Sequence, residues 1–273
     1  MSRGLLDAAD IDRISREIPT LSELQDMILH LSPDFLSMSF QPGSNVPIAS
    51  VCLNEALHLL TGARYALHEV FAHSIWYLEK KDPPNQMAAT FFGRFYADDA
   101  ALRLYSAGEQ YLVDALKIML EIQQQDLKRH KDQTKVKSQN HERRQRKTSW
   151  LEILGDFLRE QEATYPIADA VTRLTESQDW RATVDYRNRW VHEQPPTVKG
   201  LGIVHKRGRR WKLSTTEKGY TLGVGGGDVP EYSIHDLVGF IQPAMFHFSD
   251  TLTHVVKFYI NLLNSHGISI AFS

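Results

Sequence analysis

Apolar residues recur along most of this chain at the three- and four-residue spacing of a helical face, with prolines punctuating the pattern, and this confines the fold to packed helices. From Leu53 the positions Leu57, Leu60, Leu67, Phe71, Ile75 and Leu78 keep that spacing until Pro83 and Pro84 close the segment. A second stripe runs through Phe91, Phe95, Leu102, Tyr105, Leu112, Leu116 and Leu120, and its helix is expected to continue into a basic stretch before order is lost at 134–147. Ser149 with Glu152, and Ser233 with Asp236, read as capping signals for a helix beginning at Trp150 and for the last helix. That last helix carries Leu237, Ile241, Ala244, Phe248, Val255, Val256, Tyr259 and Leu263 on one face, with Pro243 as an expected kink. The pattern predicts an all-α fold built as an antiparallel helical bundle.

The helical pattern breaks between residues 200 and 228. Segments 201–205, 209–213 and 220–224 alternate or carry β-branched and aromatic residues separated by glycines, which predicts a small β-hairpin insertion before the last helix, turning at 206–208. The expected organisation is an N-terminal helical extension, 1–48, followed by the bundle, 49–273, with a basic segment at 126–147 and the hairpin at 200–228.

At 273 residues, 42% hydrophobic and 23% charged, the chain has the composition of a globular protein with one large core. A single cysteine, Cys52, excludes an intrachain disulfide framework. No secretory signal is visible at the start, and no uninterrupted apolar run approaches the roughly 18 residues of a membrane span, so the cytoplasm is the expected compartment, with no membrane partner.

A net charge of −2 conceals strong segregation. Residues 126–147 hold nine Lys or Arg against Asp126, Asp132 and Glu142. A second cluster, Lys206, Arg207, Arg209, Arg210 and Lys212, surrounds Trp211. Charge runs are most often solvated surface, but an aromatic ring among cations also offers base stacking beside phosphate neutralisation. Those six residues are therefore candidates for binding RNA, leaning over the site described next.

Arg187, Asn188, Arg189, Trp190, Val191 and His192 join a permanent cation to a titratable imidazole just before Pro195 and Pro196. The arginine fork matches phosphate oxygens, and histidine both takes and gives a proton near neutrality. The short helix bearing them is expected to start at Asp179 or Trp180 and to end near Glu193, because Gln194 precedes a proline. Five residues at about 100° each leave Arg187 and His192 roughly 140° apart around the axis. They meet only if the arginine curls, the last turn loosens, or a second copy supplies a complementary pair.

In these residues the chain resembles the HEPN superfamily (higher eukaryote and prokaryote nucleotide-binding domains), helical proteins marked by Arg, often a polar residue, and His after four to six intervening positions. The resemblance covers the bundle from about residue 50 to 265, and the hexapeptide carries its specificity. It implies a metal-independent endoribonuclease, possessing no cofactor, that works by attack of the ribose 2′-hydroxyl, with His192 as acid or base, Arg187 stabilising the developing charge and Asn188 orienting. It also implies a homodimer with both motifs facing one cleft, and a toxin held by an antitoxin protein or an antiviral-defence effector. The alternative is a HEPN-like module that binds RNA, a nucleotide or a protein without cutting. Arg189 is expected on the surface, at a dimer seam, and Trp190 and Val191 in the core.

Other clusters offer less. His68, Glu69 and His73 space their histidines five apart, on different faces, unlike a zinc-protease helix. His247, Asp250 and His254 share a face but supply no full metal site, and Gly223, Gly225, Gly226 and Gly227 lack the lysine of a phosphate loop. Asp98 is placed either against an arginine inside the bundle or on the cleft wall.

Overall fold

The computed structural model describes residues 6–31, 45–138, 149–160, 167–193, 196–201, 213–216, 219–222 and 230–268. In chain order its helices are α1 (Ala8–Glu17), α2 (Ser22–Leu29), α3 (Val46–Ile75), α4 (Gln86–Ser106), α5 (Val113–Met119), α6 (Gln124–Ser138), α7 (Trp150–Glu160), α8 (Ala168–Glu176), α9 (Gln178–His192) and α10 (Ile234–Ser265). The fold is all-α. A π-helical turn, Trp76–Lys80, ends α3, and a second, Ala107–Leu112, joins α4 to α5.

Helices α3, α4, α9 and α10 form the body, and their inward faces merge into one cluster that includes Leu53, Leu60, Leu67, Leu104, Trp180, Phe248, Val255 and Leu263. The Tyr259 hydroxyl in α10 donates to the Val46 carbonyl at 2.7 Å, tying the last helix to the start of α3. Helix α3 with its π turn is long and apolar enough to cross a bilayer by length and composition alone; here it packs along α4 inside the bundle. The expected N-terminal extension lies on the same core through Ile14, Ile18, Leu24 and Ile28. Salt bridges from Arg13 to Glu79 and from Lys80 to Asp7 and Asp10, each at 2.9 Å, fasten α1 to the end of α3.

Three details differ from the sequence expectation. The second stripe does not mark the core face of α4: Phe91 and Phe95 are exposed, and the buried face is Ala89, Thr90, Gly93, Ala97, Ala100, Ala101 and Leu104. Small residues there let α3 approach closely, so hydrophobic bulk was the wrong guide. Nor does that helix run on into the basic segment. Glu121 adopts a φ of 53°, a conformation that breaks the helix, and α6 begins afresh at Gln124. Third, the hairpin is not borne out as drawn: its expected turn at 206–208 lies outside the described residues, and the strands that are described pair further along. Among the described residues, one short ladder pairs Leu213–Thr216 with Gly219–Leu222, registering Leu213 with Leu222 and Thr216 with Gly219 across 217–218. Thr215, Thr216 and Thr221 supply the β-branched residues that favour it.

The capping signals locate two helix starts. Ser233 and Asp236 form a reciprocal box at the head of α10, and the Ser149 hydroxyl accepts from the Glu152 amide at 3.1 Å at the head of α7. Glu109, from the π turn before α5, supplies the rest: its Oε2 accepts the Trp150 and Leu151 amides at 2.7 and 3.2 Å. Gly108 beside it is required for packing, because a Cβ there would lie 2.6 Å from the Trp180 ring.

Candidate functional site

Ser177 caps α9, its hydroxyl accepting from the Trp180 amide, and Trp180, Thr183, Val184 and Tyr186 face inward. Tyr186 is the anchor. Its ring is edge-on to Tyr232, with centroids 5.6 Å apart, and its hydroxyl donates to the Asp98 carboxylate of α4 in a short hydrogen bond. Asp98 also receives Arg94 Nε at 3.4 Å and the Trp190 side chain. Burial pushes the Asp98 carboxyl above the usual carboxylate range despite these donors. Burial, and then the neighbouring carboxylate, push the Tyr186 phenol far upward. Of the two places expected for Asp98, the arginine pairing is the one seen, with Arg94 of its own helix.

With Tyr186 and Trp190 held on this side, Arg187 emerges toward Tyr105 on α4. Its guanidinium carbon lies 3.8 Å from the centroid of the Tyr105 ring, a cation–π contact. From that platform Nη1 donates to Asn188 Oδ1 at 3.1 Å and lies 3.3 Å from His192 Nε2. The arginine curls around the helix and closes the 140° gap within one chain. Arg187 Nε is buried with no hydrogen-bond partner among the described residues, whereas His192 is exposed. Burial pushes the Tyr105 hydroxyl upward, helped by nearby Glu109 and opposed by Arg187.

This geometry has a chemical consequence. A neutral imidazole with its Nε2 lone pair toward Arg187 accepts a hydrogen bond, while a protonated one sets two cations side by side. An anion bridging them relieves that repulsion, so the two side chains suit a shared phosphate.

Arg189 lies outside the pair. It is ion-paired to Glu231, just before α10. Val191 is exposed, contrary to the core packing expected of it, because α9 ends within a turn of it at His192; Trp190 is half-buried on Asp98. The proposed RNA-binding residues Lys206, Arg207, Arg209, Arg210, Trp211 and Lys212 lie outside the described residues, as does the expected turn. The ends of that insertion are nevertheless fixed. Val198 bridges Tyr232, the Lys199 amide donates to the Tyr232 carbonyl at 2.8 Å, and the Glu231 amide donates to the Thr197 carbonyl at 3.0 Å. The insertion therefore leaves and rejoins the bundle just beyond His192.

Sequence reasoning missed Tyr105 and Glu109. Tyr105 falls on the stripe expected in the core, and no local sequence signal marks it as a partner of Arg187. The His68 and His73 rings flank buried Glu69, each with a nitrogen 3.6 Å from a Glu69 oxygen, and His73 stacks on Phe92 with centroids 4.4 Å apart. Burial lowers the His73 pKa. A surface groove of about 730 Å³, lined by Ser22, Glu23, Asp26, Met27, Lys257, Ile260 and Asn261, contains none of the motif residues.

No family model, curated protein or solved structure matches the chain. The likeness to HEPN proteins therefore rests on the hexapeptide and the helical pattern.

Proposed function

We propose that the chain is a metal-independent endoribonuclease of HEPN type in which Arg187 and His192 act on one phosphodiester. The observation that carries this reading is the 3.3 Å approach of Arg187 Nη1 to His192 Nε2, with the guanidinium held over Tyr105. Regular helical geometry does not bring those groups together; the Tyr105 platform and the curled side chain do.

In the reaction, the ribose 2′-oxygen bonds to phosphorus as the bond to the 5′-oxygen breaks, leaving a 2′,3′-cyclic phosphate and a 5′-hydroxyl. His192 removes the 2′-proton or delivers a proton to the 5′-oxygen. Arg187 neutralises the charge on the pentacoordinate phosphorus, and Asn188, hydrogen-bonded to Arg187, orients it. One imidazole cannot do both proton transfers at once, so the second comes from His192 of another copy in a homodimer or from water. The same reading makes the protein a toxin or antiviral-defence effector, with RNA as substrate and, for a toxin, a neutralising antitoxin protein as partner.

A binding module that does not cut is the second reading. It is favoured by the internal engagement of Arg187, whose Nη1 is already shared between Asn188 and His192. Substrate chemistry separates the two. An RNA whose scissile ribose lacks its 2′-hydroxyl is expected to bind without being cut, while the all-RNA parent yields cyclic-phosphate ends. Cleavage of the 2′-deoxy substrate contradicts the mechanism, and intact RNA in both arms supports the module.

A further inference from the structure

The solvent face of α4 carries Met87, Phe91 and Phe95 one turn apart, 72%, 55% and 60% exposed. Large apolar side chains in such a row have a reason to be there beyond the core. The two phenylalanine rings are braced from behind. Phe91 is edge-on to Phe92 at 5.3 Å and Phe95 edge-on to Tyr96 at 5.2 Å, while Phe92 and Tyr96 both stack on His73. The aromatic neighbour at one edge restricts each exposed ring, so less side-chain entropy remains to be lost when something stacks on it.

The row leads to the candidate site. Asp98, one turn past Phe95, holds Tyr186 and Trp190, and Tyr105, two turns further, holds Arg187. From Phe91 to Tyr105 the helix rises about 21 Å, a length that a short oligonucleotide spans. Cations flank the rings. Gly200 lies against Thr90, which brings the exposed Lys199 beside the turn that carries Phe91, and Lys81 sits 5.3 Å above the Tyr77 ring, itself stacked on Phe92. The acids of α4 itself, Asp98 and Asp99, are each paired with an arginine one turn away. Exposed rings one helical turn apart, with lysines at one end and Arg187 at the other, match a chain of planar bases on a phosphate backbone better than they match an apolar protein surface.

We infer that Phe91 and Phe95 form a base-stacking subsite that delivers unpaired RNA to Arg187 and His192. The inference rests on the ribonuclease reading and narrows its substrate to single-stranded RNA with little sequence preference, since every base has a face to stack. Duplex RNA, whose bases are hidden in the stack, gains nothing from these rings.

The test uses full-length protein carrying His192→Ala, so that substrate stays intact, and follows fluorescence anisotropy of a labelled single-stranded RNA and of a duplex across a salt series. Adding Phe91→Ala and Phe95→Ala is expected to weaken single-strand binding by about tenfold or more. The dependence of affinity on salt, the affinity for duplex and the oligomeric state in sedimentation should be unchanged. Phe91→Tyr with Phe95→Tyr should restore binding. Unchanged single-strand affinity in the alanine variant overturns the subsite while leaving the ribonuclease reading standing. A loss of affinity accompanied by a change in oligomeric state also overturns it, marking the row as a contact between copies. Failure of the His192→Ala parent to bind either RNA removes the subsite together with the reading beneath it.

Discussion

The guanidinium of Arg187 sits over the ring of Tyr105, its carbon 3.8 Å from the centroid, and this contact across α9 and α4 turns a helix-end arginine toward the histidine five residues later. The ring contributes roughly 1 kcal/mol to holding the cation. Tyr105→Leu should therefore cost little stability yet weaken RNA cleavage at least about tenfold, because Arg187 is released to other rotamers. Tyr105→Phe, which keeps the ring, should stay close to wild type. Equal activity of the leucine and phenylalanine variants would separate the platform from function.

Arg189 provides the control for charge alone. Bound to Glu231 at a half-exposed site, it is expected to contribute less than about 1 kcal/mol to stability. Arg189→Ala should retain cleavage within a few-fold, whereas Arg187→Ala abolishes it. Comparable losses in both variants would show that cleavage depends on a general positive field at the end of α9.

Alkaline pH should loosen the bundle through its buried phenols. Tyr186 and Tyr259 ionise well above their ordinary value of 10 in the folded chain, chiefly because they are buried. The stability they protect is complete below pH 10. It is lost as pH rises past that value, where the unfolded chain releases protons that the folded one retains. Each phenol should contribute about 1.4 kcal/mol in total to the decline between pH 9 and 11, measurable by urea unfolding, and Tyr186→Phe should make the decline shallower.

Glu109 is buried, with two amides of α7 on one carboxylate oxygen, and burial raises its pKa. Glu109→Ala strands both amides and should destabilise the protein by about 1–3 kcal/mol. Glu109→Gln keeps an acceptor and removes the buried charge, so it should recover most of that loss. For the wild type, a raised carboxyl means that this group's contribution is fully present below its unfolded pKa and declines as pH rises through the interval from the unfolded value to the folded one. The stability difference between wild type and Glu109→Gln should shift against wild type across that interval.

Much of the fold was legible because helical periodicity is a local signal. The capping pair Ser233 and Asp236, the limits of α9 and the apolar face of α10 all followed from neighbours within four residues. What failed depended on tertiary context. Phe91 and Phe95 look like core residues in a list of apolar positions, yet α4 buries its alanines and Gly93, the glycine against Ile234 of α10, and leaves the rings outside. The break at Glu121 comes from a left-handed backbone at a residue that sequence preference does not single out. At the site, the motif itself was readable, but the means by which Arg187 reaches His192 was not, since Tyr105 lies 82 positions earlier in the chain.

The most direct test is cleavage of a single-stranded RNA in excess chelator by wild type, Arg187→Ala and His192→Ala, with folding of all three checked by circular dichroism. The account predicts wild-type cleavage that survives chelation, leaves cyclic-phosphate ends, and is lost in both variants. Intact RNA with wild type, or cleavage that persists in either folded variant, contradicts it.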